Sequence, residues 1–280
     1  MIVKLFCPKC AYEKTKGFDG HATLDVPVPL TRLSDSGEYE VKCGKGHISR
    51  VTLDNVKFEL LFEMGLNAIV DGYPREAVSS FASALERFYE FYWRVVMKHQ
   101  GISKDAIDSS WKPLSKMSER QVGAYVTAAT LLTKTPPDLL NTNKEVPFRN
   151  KVIHNGYVPT NEEAISFGNV IMTLLNNDIE KLHELAETAL DLTYKEQSPR
   201  DYEKLEDDGD ESIITGCVNI LTAIDVRHPP KGSDGRVGEV EDQFNRILKE
   251  REPTRMQILS AEEMKNRFPD RDFSEMENVP

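Results

Sequence analysis

The 280-residue chain is 39% apolar and 29% charged, a balance that excludes a disordered or fibrous protein and points to a globular one. Its net charge of −11 is concentrated in residues 201–280, which hold 20 acidic against 11 basic side chains. That argues against broad, nonspecific gripping of a polyanion but leaves room for a small phosphate site further upstream. No apolar run approaches the roughly 20 residues needed to cross a bilayer, and Met1–Phe6 is too short and too soon interrupted for a secretory signal. A cytoplasmic protein with no membrane partner is expected.

Three of the four cysteines fall in the first 43 residues, in Cys7-Pro8-Lys9-Cys10 and Cys43-Gly44-Lys45-Gly46-His47. Strand-like flanks surround both pairs: Ile2–Phe6 before the first, Tyr39–Lys42 and Ile48–Val51 around the second. Two turns at hairpin tips, each offering two ligands, make the tetrahedral cage that Zn²⁺ prefers. Cys7, Cys10, Cys43 and His47 are therefore the expected ligands. Three thiolates and an imidazole leave no open position for a catalytic water, so the expected zinc is structural. Residues 1–53 are also small and polar enough to need a metal in order to fold. The competing readings are spare thiols, or His21 as fourth ligand, whose spacing fits no knuckle. A disulfide is disfavoured in a reducing compartment.

From about Asp54 the apolar period changes from 2 to 3.6. Phe58, Leu61, Phe62, Leu66 and Ile69 mark one helix, ending near Asp71-Gly72. Pro74 suits the first turn of the next, which runs to about His99. Its two apolar rows, Phe81–Leu85–Phe88–Tyr92–Val95 and Ala77–Ala84–Phe91, predict a helix central to a bundle or shared with a partner subunit. Core packing explains its aromatic stripe better than base stacking does. A shorter helix covers about Glu119–Thr133, and another runs from Lys144 to Asn155-Gly156, a helix-ending signal. Thr160 with Glu163 forms a capping box, opening a helix that extends to about Thr193. The expected fold is mainly α: a helical bundle over 54–195 preceded by a small β zinc ribbon over 1–53.

Within Phe148–Gly156 lies the group of residues with the clearest chemistry. Asn150 and His154 lie about 40° apart on one helix face, and Arg149 lies about 140° from His154 with a side chain long enough to reach the same groove. His154 sits at a helix C-terminus, where the macrodipole favours the imidazolium. That suits a general acid or a cation steadying a phosphate. Arg149 can grip phosphate oxygens bidentately. The competing reading gives Arg149 an ordinary ion pair and lets His154 cap its own helix. Glu86, Arg87 and Tyr89 could reach the same cleft, but their spacing does not fix it.

Arg149-Asn150-x3-His154, followed by Gly156 and the capped helix at Thr160, resembles the R-x4-6-H motif of the HEPN superfamily. The resemblance covers about residues 54–195, half the chain. It implies a metal-independent endoribonuclease that drives a ribose 2′-hydroxyl onto the adjacent phosphate, leaving a 2′,3′-cyclic phosphate and a 5′-hydroxyl. In that implied chemistry His154 moves protons, Arg149 binds and stabilises the phosphorane, and Asn150 orients His154 or the phosphate. It further implies a homodimer acting on RNA such as tRNA, in phage defence or as a toxin, with an antitoxin or sensor partner. Some members of the superfamily are noncatalytic, so a binding module for a protein or nucleic acid is the alternative.

The remainder reads as a charged linker over 196–211 and a minor α+β C-terminal region over 212–280. Ile213–Val226 suits a strand or short helix, Pro229–Gly238 a loop, Glu239–Lys249 a helix, Met256–Leu259 a strand, and Ser260 opens a last short helix. This region is expected to pack on the bundle, join a dimer, or cover the cleft as an acidic mimic of RNA. Cys217 has no partner at metal spacing and reads as a small buried residue. His99, His183 and His228 read as surface or satisfied helix residues.

Overall fold

The computed structural model describes residues 2–5, 7–10, 30–199, 214–218, 222–227 and 240–251. His21, His228 and the elements expected over 256–263 lie outside them, as does the linker from 200 onward. The described fold is mainly helical, with a small β region before the bundle. Strands β1 (Ile2–Lys4) and β2 (Leu30–Arg32) pair antiparallel, and β3 (Glu38–Lys42) pairs antiparallel with β4 (Ile48–Leu53). In β3 and β4 buried and exposed residues alternate, so Tyr39, Val41, Val51 and Leu53 face a small core with Leu5 and Leu60.

Seven helices follow among the described residues: α1 (Lys57–Val70), α2 (Pro74–His99), α3 (Lys104–Leu114), α4 (Ser118–Thr133), α5 (Glu145–His154), α6 (Asn161–Gln197) and α7 (Val240–Arg251). Both apolar rows of α2 are buried, because it packs against α1, α3, α4, α5 and α6 at once. It is the central helix, so its doubly apolar surface needs no partner subunit. Phe58 meets Phe88 and Phe91 edge-on at 5.2 Å between ring centroids, and Phe62 meets Phe81 at 4.8 Å. Each such pair contributes about 0.5–1.5 kcal/mol beyond the area it buries.

Close approach of three helices depends on two glycines. A Cβ at Gly65 of α1 would sit 2.4 Å from Phe81 Cε1, and one at Gly168 of α6 would sit 2.8 Å from Phe81 Cε2. The Phe81 ring thus occupies the space two side chains would need. Helix α6 begins at the expected capping box: Thr160 Oγ1 accepts from Glu163 N–H at 3.2 Å, and Glu163 Oε2 accepts from Thr160 N–H at 2.8 Å. It kinks at Ala186 (φ −147°, ψ 30°) and runs past Thr193, because Tyr194 is still buried in the core.

The C-terminal region enters both halves of the fold. Strand β5 (Ile214–Val218), which contains Cys217, pairs parallel with β4 and completes a β3–β4–β5 sheet. Residues 222–227 lie on α1, where Glu59 Oε1 accepts from Val226 N–H at 2.8 Å and Glu63 Oε2 from Ala223 N–H at 3.2 Å. His183 Nε2 donates to the Val226 carbonyl at 2.7 Å. Arg227 is held by Asp54, with Nη1 to Oδ2 at 2.7 Å. Helix α7 packs on α1 and α6.

Candidate functional site

Two clusters bring chemically capable residues together. The first is in the β region. Residues 8–10 form one helical turn carrying Cys10, and the β3–β4 hairpin tip carries Cys43 and His47. The ligand atoms of Cys7, Cys10, Cys43 and His47 all lie within 4.8 Å of one another, which is metal-binding distance. Cys10 Sγ is 3.7 Å from Cys43 Sγ and 3.4 Å from His47 Nδ1, while Cys7 Sγ is 3.9 Å from the same Nδ1. The sulfur separation is far beyond the ~2.05 Å of a disulfide. All three cysteines are buried and His47 is half-buried.

Local backbone geometry explains the convergence. Cys10 N–H points back at Cys7 Sγ at 3.5 Å, closing the first turn around the sulfur. Cys43 N–H donates to the His47 carbonyl at 3.1 Å, and Gly46, at φ +84°, lets its own N–H return to the Cys43 carbonyl at 2.9 Å. Burial pushes the Cys10 thiol up to about 11. Burial acts on Cys43 in the same direction, but the N–H groups of Lys45 and His47 outweigh it and hold that thiol below its ordinary value.

The second cluster is a groove of about 910 Å³ between α2, α4, α5 and the loop before α5. Arg149, Asn150 and His154 all line it, joined by Glu86 and Tyr89 from α2. Helix α5 is oriented by Val152, which is fully buried, and by Phe148, whose ring meets Phe167 of α6 at 5.6 Å. Its N-terminal turn is tied by Asn141 N–H to Glu145 Oε2 at 3.1 Å. Its C-terminus is tied by Tyr157, whose ring lies 3.3 Å from Lys151 Nζ and whose hydroxyl donates to Glu163. Gly156 makes the turn at φ +71°.

Arg149 is held in place. Nη2 donates to Glu86 Oε1 at 2.6 Å, and Nη1 donates to Asn150 Oδ1 at 3.2 Å. Both partners of the ion pair stay accessible, with side chains 24% and 29% exposed. His154 is exposed at the end of α5. Arg87, one residue after Glu86, turns away and binds Glu90 and Gln121. Tyr89 stacks on Tyr125 at 4.4 Å, and Tyr125 donates to the buried Asp178. Burial, then the charges of Asp178 and Glu86, push the Tyr89 phenol up, so it stays neutral in the groove wall. The sequence brings Glu86 within reach of the cleft together with Arg87 and Tyr89 but cannot single it out, because one acidic residue on a long helix looks like any solvated one. Only its position on the α2 face toward α5 distinguishes it.

No described helix is long and apolar enough to cross a membrane. No protein-family model, curated protein or solved structure matches this chain.

Proposed function

We propose that the groove is the active site of a HEPN-like, metal-independent endoribonuclease. The observation that carries this reading is the convergence of Arg149, Asn150 and His154 on one accessible groove, with the guanidinium already aimed by two hydrogen bonds. Phosphodiester transfer to a 2′-hydroxyl needs charge stabilisation on the nonbridging oxygens and a proton for the departing 5′ oxygen. Arg149, whose side chain lines the groove, supplies the first. His154, exposed at the α5 C-terminus and lining the groove, supplies the second. Asn150 fixes the Arg149 fork. The products are a 2′,3′-cyclic phosphate and a 5′-hydroxyl. By the same resemblance the enzyme works on RNA such as tRNA as a homodimer, in phage defence or as a toxin, under an antitoxin or sensor partner.

The Cys7–Cys10–Cys43–His47 cluster is assigned to structural zinc. Tetrahedral Zn²⁺ with Zn–S near 2.3 Å and Zn–N near 2.0 Å places sulfurs about 3.8 Å apart and sulfur about 3.5 Å from nitrogen. The separations of 3.4–3.9 Å fit that ion. The four ligands close the site, so its contribution is to the fold of the β region.

A noncatalytic binding module is the second reading, favoured by the Arg149–Glu86 pair, which an ordinary helix–helix staple would also make. Cleavage of total cellular RNA and tRNA in EDTA by the purified protein, beside His154→Ala, separates the two. Cyclic-phosphate ends from the wild type alone support the nuclease. Binding of RNA or a protein without cleavage, unaltered in His154→Ala, supports the module.

A further inference from the structure

The displacement above requires two proton transfers, one from the attacking 2′-hydroxyl and one to the leaving oxygen. With His154 assigned to the leaving oxygen, the first transfer has no residue among Arg149, Asn150 and His154. We propose that Glu86 is the general base of this groove. The assignment rests on the ribonuclease reading and extends it from three residues, Arg149, Asn150 and His154, to four within one chain.

Among the described residues two carboxylates line the groove, Glu86 and Glu119. Only Glu86 is bonded to Arg149, so only Glu86 stands beside whatever oxygen Arg149 grips. Its Oε1 accepts from the guanidinium, and among the described residues Oε2 has no partner. Glu86 lines the groove with 29% of its side chain exposed. In the step, Glu86 Oε2 takes the 2′-hydroxyl proton and the 2′ oxygen forms its bond to phosphorus. The bond from phosphorus to the 5′ oxygen then breaks, and His154 protonates that oxygen. Glu86 leaves the step protonated and His154 neutral, and exchange with water restores both. Arg149 links them by holding the phosphate next to the base.

Were the Glu86–Arg149 pair only a staple between α2 and α5, losing Glu86 would disturb phosphate binding rather than proton transfer. The test compares wild type, Glu86→Gln, Glu86→Asp and His154→Ala in EDTA on two substrates. One is ordinary RNA, and the other carries sulfur in place of the 5′ bridging oxygen, a leaving group that needs no acid. Melting temperatures certify that each variant is folded. The assignment expects kcat of Glu86→Gln to fall about 100-fold or more on both substrates, with KM within about threefold of wild type. Glu86→Asp should recover part of that loss, and His154→Ala should be slow on ordinary RNA yet return to within about tenfold of wild type on the sulfur substrate.

A Glu86→Gln enzyme near wild-type kcat, a loss expressed in KM, or its rescue by the sulfur leaving group overturns the assignment while leaving the nuclease standing. Absence of cleavage by the wild type itself overturns the nuclease reading, and this assignment with it.

Discussion

Glu59, buried in the first turn of α1, accepts a hydrogen bond from the backbone N–H of Val226, 167 residues later in the chain. Asn55 Nδ2 and Val56 N–H also donate to it, each at 3.2 Å. Despite those donors, burial dominates and pushes Glu59 up to about 8, with Asp225 adding in the same direction.

The pH dependence of stability follows from that shift. The folded value lies above the ordinary 4.5, so the folded protein binds the Glu59 proton more tightly than the unfolded chain does. The stabilisation is complete below about 4.5 and disappears as pH rises through about 8. Between pH 6 and 8 the slope is at most about 1.4 kcal/mol per pH unit, and it flattens toward the upper end as Glu59 ionises in the folded protein. Thermal melts should fall over that range in the wild type. Glu59→Gln cannot ionise and should melt lower at pH 6 but with a flatter profile. Parallel profiles for the two proteins would mean that Glu59 keeps one protonation state throughout.

Phe81 makes a second prediction. Gly65→Ala puts a methyl group where the ring already lies, 2.4 Å from Cε1, and both helices beside it are fixed by the rest of the core. Ala is the better helix former by about 1 kcal/mol, but overpacking costs about 1–3 kcal/mol and should win. A lowered melting temperature is expected for Gly65→Ala. The double variant Gly65→Ala/Phe81→Leu should recover part of it, since the smaller side chain vacates the clash. No recovery would place the strain elsewhere than at Phe81.

Much of this was legible in the chain, for a physical reason. Period and caps are local, so Phe58–Ile69, Pro74–His99 and the Thr160–Glu163 box announce α1, α2 and α6 directly. The knuckle spacing of Cys7, Cys10, Cys43 and His47 is nearly as explicit. Helix α3 carries no legible period, because only Ile107 and Trp111 are buried and Pro113 lies inside it. The pairing of β5 with β4 joins residues more than 160 positions apart, which no local pattern encodes. Glu59 and Glu63 fall outside the apolar period of α1, yet both are buried and bonded to the backbone of residues 222–227, a contact no local pattern encodes.

Metal analysis addresses the β region. About one zinc per chain is expected by elemental analysis, as the four-ligand set holds a single ion. Cys10→Ser should lose it, and so should prolonged treatment with a strong chelator. Amide exchange should then rise in β3 and β4, whose hairpin tip carries two of the ligands, while α2 and α6 stay protected by their own core. Equal exposure of α2 would mean that the two regions fold as one cooperative unit.

Arg149 tests whether its ion pair serves stability or chemistry. A pair this accessible contributes about 1 kcal/mol or less to folding. Arg149→Ala should therefore shift the melting temperature by only a few degrees. Cleavage, if it depends on the guanidinium at the phosphate, should drop about 100-fold or more. Arg149→Lys keeps the charge and can still reach Glu86, but lacks the planar fork that holds Asn150 and a phosphate together. It should match the wild type in stability and fall close to Arg149→Ala in activity. If Arg149→Lys instead cleaves like the wild type, a point charge suffices and the bidentate geometry is incidental. If Arg149→Ala melts many degrees lower while cleaving normally, the pair is a staple between α2 and α5 and the groove's chemistry lies with other residues.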